Sequence, residues 1–184
     1  MIVAKVGGSL YDWPELGPAL RAWLARQPEP VLLFPGGGEA ADAVRNWDRI
    51  HDLGEVHAHW LAIRSLSLGA YFLQRLLGTW AVVESPLPGI LDPYPYFHTQ
   101  SGPPHTWSVT TDSLAAWVAI QSGASKLVLL KSTDIPVSLG WKEASDAGFV
   151  DGYFPELLVT ANLRVEAVNL RSSLDFNLQV VPRG

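Results

Sequence analysis

The sequence predicts an α/β fold in which a mostly parallel, open sheet is covered by helices on both faces. Two observations support this prediction. Short apolar runs such as 2–6, 31–34 and 127–130 alternate with longer segments in which apolar residues recur every three or four positions. Apart from Lys5, the short runs are continuously apolar, which is typical of parallel strands buried on both faces. The expected architecture is therefore a three-layer αβα sandwich.

Each predicted strand is an apolar or β-branched run that stops at glycine, proline or polar residues. The first, at 2–6, ends in Gly7-Gly8, and the second, at 31–34, is followed by a proline and three glycines. The other strands are expected at 81–83, 90–91, 127–130, 165–169 and 178–181. Because helical segments alternate with these runs, the strands are expected to lie parallel.

The predicted helices follow from apolar periodicity. In the first helix, Leu16, Leu20 and Trp23 recur at three- and four-residue spacing, and Pro14 suits the first turn. Further helices are expected at 40–50, 52–77, 111–122 and 144–147, and another is expected to begin at 154. The proline-rich segment 87–104 is expected to be an extended loop with one short strand.

Composition limits the possible classes of protein. The chain has 184 residues, of which 48% are hydrophobic and 17% are charged, so one folded domain is expected rather than disorder. The formal net charge of −5 provides no basic field for phosphates, so no nucleic-acid partner is expected. Cysteine is absent, which excludes disulfides, cysteine-ligated zinc and thiol nucleophiles.

Signals for secretion, membrane insertion and metal binding are weak in this sequence. Lys5 interrupts the first apolar run, and no apolar window approaches the ~18 residues of a membrane span, so a cytoplasmic protein without a membrane partner is expected. His57 and His59 are only two residues apart, so on a helix they point in different directions and no metal-binding side chains are expected. A hydrolase is disfavoured because there is no Gly-x-Ser-x-Gly elbow.

Two glycine-rich turns follow predicted strands and could hold a ligand. In the first, Lys5 precedes Gly7-Gly8-Ser9, where backbone N–H groups and a lysine could meet a phosphate. The second turn, 35–38, contains three consecutive glycines, whose entropic cost is easier to understand if a ligand lies against the backbone. Either turn could instead be purely structural. A dinucleotide site is disfavoured because neither turn has the spaced Gly-x-Gly-x-x-Gly pattern.

Two charged residues lie where a ligand could meet them. Asp112 precedes a predicted helix, and it could either cap that helix or orient cationic groups or a metal near a phosphate. Lys131 directly follows a buried apolar strand, where ligands of parallel sheets are bound, although a solvent-facing lysine would be equally ordinary.

Taken together and in this order, the segments 5–10, 34–38, 108–116 and 123–130 resemble motifs of the amino acid kinase superfamily, which includes acetylglutamate, aspartate, uridylate and isopentenyl phosphate kinases. The resemblance covers roughly 2–134. It implies one amino acid kinase-like domain over 1–184, with an acceptor-side half at 1–105 and a shortened nucleotide-side half at 106–184. It also implies ATP with Mg²⁺ and a small-molecule acceptor.

The resemblance implies a role for individual residues. Lys5 would stabilise the transferring phosphoryl group, and Asp112 would orient the lysines. The residues implied at the nucleotide are Gly7, Gly8, Ser9, Thr133 and Asp134. Those implied at the acceptor are Gly36, Gly37, Gly38, Ser108 and Thr111.

The sequence departs from the superfamily pattern after the late strand. Relatives usually have Thr-Asp-Val-Asp-Gly there and a later lysine that contacts ATP, whereas this chain has Lys131-Ser132-Thr133-Asp134. We therefore predict that Lys131 supplies the second positive charge. The alternative is a non-catalytic relative that binds a small molecule or oxyanion with an incomplete ATP site.

Two finer expectations concern the helices at 40–77. The segment 59–63, His-Trp-Leu-Ala-Ile, resembles a segment of the small kinases of methanofuran-type C1-carrier biosynthesis, which phosphorylate an aminomethylfuran phosphate. This implies that type of intermediate as the acceptor. Trp47, Trp60 and Tyr71 are expected on exposed helix faces, where they would suit a homodimer contact.

Overall fold

The protein contains one six-stranded sheet in the computed structural model, which describes residues 1–172. The predicted strand at 178–181 lies outside these residues. The strands are β1 (Ile2–Val6), β2 (Val31–Pro35), β3 (Val82–Val83), β4 (Gly89–Leu91), β5 (Lys126–Lys131) and β6 (Val165–Asn169). They lie in the order β3-β4-β2-β1-β5-β6, and every pair is parallel. The predicted parallel sheet is confirmed.

Helices cover both faces of this sheet. They are α1 (Leu16–Leu24), α2 (Gly38–His51), α3 (Glu55–Leu77), α4 (Pro93–His98), α5 (Thr111–Gln121), α6 (Trp141–Asp146) and α7 (Phe154–Thr160). Alternate residues of β1 enter two separate cores: Val3 packs with α4 to α7, whereas Ile2 and Ala4 pack with α1. The long helix α3 contributes to both cores, through Ile63 to the first and Leu73 to the second. The predicted αβα sandwich is confirmed.

One predicted loop contains a helix. The segment 87–104 was expected to be extended because of its prolines, but α4 forms within it. Pro93 occupies the first turn, where a missing N–H costs nothing, and Asp92 Oδ1 accepts a hydrogen bond from the Tyr94 N–H at 3.2 Å. Proline therefore starts this helix, so the expectation of a loop was wrong for 93–98.

The two glycine-rich turns lie in direct backbone contact. A Cβ atom on Gly8 would lie 2.2 Å from the Gly38 nitrogen, and one on Gly36 would lie 2.4 Å from the Gly8 nitrogen. Any larger residue at either position would push the turns after β1 and β2 apart. Close packing of the two turns is thus a sufficient reason for Gly8 and Gly36.

The expected exposed aromatic residues differ in their surroundings. Trp47 and Tyr71 are exposed, as predicted. Trp60 is half-buried, and its ring contacts those of Tyr94 and His105, so its predicted exposure was wrong. Within residues 1–172, no helix is long and apolar enough to cross a bilayer.

Candidate active site

A buried aspartate joins two lysines at the carboxyl edge of the sheet. Asp112, in the first turn of α5, lies 3.0 Å from Lys5 Nζ through Oδ1 and 2.8 Å from Lys131 Nζ through Oδ2. Lys5 pairs with Leu129 across β1 and β5, so it shares a face of the sheet with Lys131, two residues further along β5. The strand register therefore brings the two lysines to the same carboxylate.

Burial and charge set the electrostatics of this cluster. Lys5 and Asp112 are each only 5% exposed. Burial alone would raise the pKa of Asp112, but Lys5 and Lys131 hold it below its usual value. Burial and the charge of Lys5 lower the pKa of Lys131, and Asp112 opposes that shift. With all three groups charged, Lys5, Asp112 and Lys131 together carry one excess positive charge, which the nearby Asp151 partly offsets at Lys131.

A fourth residue, Asp151, fixes the helix that carries Asp112. Its Oδ2 accepts hydrogen bonds from the backbone N–H groups of Thr110 and Ser113, both at 3.0 Å, and from Thr110 Oγ1 at 2.7 Å. Its Oδ1 accepts from the Phe154 N–H at 3.1 Å and from the Ser113 hydroxyl. Asp151 therefore caps α5 from a loop about 40 residues away in sequence. Sequence reasoning missed it, because an aspartate before Gly152 resembles an ordinary turn.

Replacing Asp151 by Ala should destabilise the protein by about 2 kcal/mol, the upper range for loss of a helix cap. The five hydrogen bonds at its carboxylate would be lost, and the N–H groups of Thr110, which precedes α5, and Ser113, in its first turn, would lose their acceptor. Urea denaturation measures the stability of this variant. Asp146→Ala, which removes an exposed carboxylate from α6, is the control. Equal stability of the two variants would contradict the capping role.

A cavity of about 270 Å³ opens beside the lysines. Eight of the predicted site residues line it: Lys5, Gly7, Gly8, Ser9, Gly37, Gly38, Thr111 and Lys131. Asp112 lies beneath the two lysines, to which it is ion-paired. The structure thus brings both glycine-rich turns and both lysines to one half-open cavity, as expected for carboxyl ends of neighbouring parallel strands.

Besides Asp112, four predicted site residues do not line this cavity. Gly36 packs against Gly8, and the Ser108 hydroxyl lies 2.6 Å from that of Thr106. Asp134 accepts a hydrogen bond from Asn169 Nδ2 at 3.1 Å on the β6 side, and Thr133 is exposed next to it. The ligand roles of these residues remain predictions.

The first glycine-rich turn has backbone donors that suit a phosphate. Gly7 N–H donates to the Leu130 carbonyl at 2.8 Å, so this amide is already used within the protein. Gly8 and Ser9 both line the cavity, and among residues 1–172 no acceptor is found for their N–H groups. Two free amides beside an excess positive charge fit an anionic phosphate group.

The described residues hold no group of three His, Asp or Glu side chains that could bind a metal ion.

Comparison with known proteins gives one curated relative and clear structural neighbours. The chain is 26% identical over 144 residues to the 5-(aminomethyl)furan-3-ylmethyl phosphate kinase of Methanocaldococcus jannaschii, a match that covers 73% of this chain and 67% of that protein. No protein-family model matches the chain.

Two solved structures have the same architecture. Uridylate kinase from Archaeoglobus fulgidus is matched with a TM-score of 0.65 and 15% identity, over 91% of this chain and 89% of that one. UMP kinase from Bacillus anthracis is matched with a TM-score of 0.58 and 14% identity, over 92% and 86%. The resemblance to the amino acid kinase superfamily that the ordered motifs indicated is therefore confirmed, and the chain has the fold of that superfamily.

Proposed function

We propose that this protein is an ATP-dependent kinase of a small molecule. Its similarity to a curated kinase supports a kinase-like phosphotransferase. The observation that carries the finer proposal is the cluster of Lys5, Asp112 and Lys131 at a cavity bounded by two glycine-rich turns. Phosphoryl transfer needs positioning and positive charge rather than covalent chemistry by the protein, and this site offers both.

Each group of the chain would have a distinct part in the transfer. The amides of Gly8 and Ser9 would bind phosphate oxygens, and the ammonium groups of Lys5 and Lys131 would stabilise the charge that develops on the transferring group. Asp112 would keep both ammonium groups in place without meeting the substrate itself. ATP, when bound with Mg²⁺, supplies the phosphoryl group.

The proposal extends to the acceptor and the assembly. An aminomethylfuran phosphate-type intermediate is the specific acceptor that we propose, by analogy with the substrate in the name of the curated relative. We also propose a cytoplasmic homodimer, in which the exposed Trp47 and Tyr71 contribute to the contact between copies. Sedimentation at micromolar concentration tests the dimer, and Tyr71→Glu should shift it towards the monomer.

Mg-ATP should raise the melting temperature of the wild-type protein, because a ligand that binds only the folded state stabilises it by RT ln(1 + [L]/Kd). Lys5→Ala should weaken that binding at least ~10-fold, since each charge-assisted contact to an ionised group contributes about 1.5–3 kcal/mol. Lys142→Ala is the matched control, because this lysine is 79% exposed on α6 and, among residues 1–172, is ion-paired with Asp146 alone.

Phosphoryl transfer to aminomethylfuran phosphate is then measured directly by detection of ADP and of the diphosphate product. Binding of Mg-ATP without any transfer would favour the non-catalytic relative. Absence of Mg-ATP binding by the wild type would contradict the proposal altogether.

A further inference from the structure

Polar side chains link the first glycine-rich turn to the carboxyl end of β6. Arg171 lies two residues beyond this strand, and its guanidinium reaches the segment that follows β1. Its Nη2 donates to the Ser9 carbonyl at 3.0 Å and forms an ion pair with Asp12 Oδ1 at 2.8 Å. The turn after β1 is therefore held by a residue from the edge strand of this half of the sheet, two strands away.

Arg171 is itself held in place by its neighbours. Its backbone N–H donates to Asn169 Oδ1 at 3.1 Å, and Asn169 Nδ2 donates to Asp134 Oδ2 at 3.1 Å in the loop after β5. Its guanidinium carbon also lies 6.0 Å from the centroid of the Trp13 ring. The carboxyl ends of β1, β5 and β6 are thus joined in one polar network.

This network holds the turn by groups other than its two unpaired amides. Ser9 Oγ lies 2.8 Å from Ser132 Oγ, and the Ser9 carbonyl accepts from Arg171, whereas the N–H groups of Gly8 and Ser9 have no acceptor within residues 1–172. Only the φ and ψ angles of Ser9 separate its N–H from its carbonyl, so fixing the carbonyl limits the orientation of the N–H. Amides that are ordered and yet unpaired are suited to preorganised binding of an anion.

The position of Arg171 favours an action on the turn over direct contact with a ligand. Arg171 does not line the cavity of the two lysines, whereas Ser9 does. Its charge is balanced by Asp12, and the two side chains are 41% and 74% exposed, so the ion pair by itself contributes little to stability. The contact that distinguishes Arg171 from an ordinary surface arginine is therefore its hydrogen bond to the Ser9 carbonyl.

We propose that Arg171 is a positioning residue, which fixes the Ser9 carbonyl and so preorganises the Gly8 and Ser9 amides for the phosphates of the nucleotide. The role rests on the proposed function and adds a further residue to it. Phosphate would meet these amides in the ground state and in the transition state alike. Loss of Arg171 should therefore raise the KM for ATP and leave kcat nearly unchanged.

The probe for this role is magnesium tripolyphosphate, which has the phosphates of ATP without its base and sugar. Calorimetry with Arg171→Met should show a Kd that is raised ~3- to 10-fold, since a charge-assisted hydrogen bond is lost at a partly exposed site. The KM for ATP should rise by the same factor, with kcat within about twofold of the wild type. Arg171→Lys should recover part of the affinity, because it keeps the charge and one donor but not the fork.

Arg164→Met is the matched control. Arg164 directly precedes β6, at the opposite end of the same strand, and its Nη2 pairs with Glu166 at 2.7 Å. This variant also removes an exposed, ion-paired guanidinium, but one that is far from the glycine-rich turns. It should bind tripolyphosphate as the wild type does. Melting temperatures without ligand verify that all variants fold.

Hydrogen exchange in the ligand-free protein tests the positioning itself. The N–H groups of Leu10 and Tyr11 donate to the Gly7 and Gly8 carbonyls at 3.0 and 3.1 Å, so their protection reports how firmly the turn is held. Arg171→Met should accelerate their exchange, whereas the control variant should not. Unchanged exchange together with weakened tripolyphosphate binding would indicate direct contact with the phosphates and would overturn the proposal.

A double variant separates positioning from simple neutralisation of Asp12. If Arg171 only cancelled the charge of Asp12, Asp12→Asn combined with Arg171→Met would bind tripolyphosphate as tightly as the wild type. We expect the double variant to bind as weakly as Arg171→Met, because the Ser9 carbonyl still lacks its donor. Recovery of the wild-type Kd would contradict the positioning role.

Failure of this role and failure of the proposed kinase give different results. Wild-type Kd and KM values in Arg171→Met, with or without a lower melting temperature, would leave Arg171 a merely structural role and would not touch the kinase. Arg171-dependent tripolyphosphate binding without any transfer from ATP would refute the kinase and leave the positioning role standing. No binding of tripolyphosphate by the wild type would overturn the positioning role, even if transfer from ATP is observed.

Discussion

Replacing Asp112 by Ala should lower the free energy of unfolding by about 3–5 kcal/mol, the usual result of removing one partner of a buried ion pair. Lys5 and Lys131 would then remain buried without their shared counter-ion. Their ammonium groups would repel each other and lose their positions, so phosphoryl transfer should fall below detection. Urea denaturation at pH 7 and a coupled ADP assay measure the two effects.

The pH dependence of stability gives an independent check on the role of Asp112. Because the pKa of Asp112 is held below its usual value in the folded protein, its contribution is present above the unfolded pKa of about 3.9 and is lost as pH falls through the lower folded pKa. Between pH 7 and this acidic range, the free energy of unfolding of Asp112→Ala should therefore fall less than that of the wild type. Asp146→Ala, at an exposed site, should keep the wild-type profile. Wild-type stability of Asp112→Ala would contradict a structural ion pair.

Replacing Lys131 by Ala should reduce kcat/KM about 10²- to 10³-fold, as loss of one group that stabilises transition-state charge typically does. Lys131 Nζ contacts Asp112 and donates to the Phe149 carbonyl at 2.7 Å, which fixes its charge at the cavity. Steady-state kinetics with Mg-ATP and aminomethylfuran phosphate measure the loss. A kcat/KM within a factor of two of the wild type would refute the predicted role.

The pH profile separates a catalytic Lys131 from a merely structural one. Burial and Lys5 lower the pKa of Lys131, so wild-type activity should decline at a pH below the ordinary lysine value of about 10.4. Lys131→Arg keeps its charge at high pH, so its activity should decline only at a higher pH than that of the wild type. Its activity at neutral pH should be part of the wild-type value. Lys142→Ala, on the exposed face of α6, should leave the profile unchanged.

Much of the fold follows from local patterns in the chain. Short apolar runs predict β1, β2 and β5, since parallel strands buried on both faces are rich in apolar residues at successive positions. The prolines of α4 misled the prediction, because proline disfavours a helix interior but suits the first turn. Lys5 and Lys131 could be singled out because each lies at the end of such a strand.

What the sequence determined by itself is therefore the sheet, its glycine-rich turns and the residues at the strand ends. Only the tertiary structure decided which of these residues meet, because a contact depends on strand register and on helix placement rather than on spacing along the chain. The register of β1 with β5 brings Lys5 and Lys131 to Asp112, and a distant Asp151 holds the helix that carries this aspartate. The packing of α2 against α3 adds Arg45 to the same cavity, a neighbour that no local motif encodes.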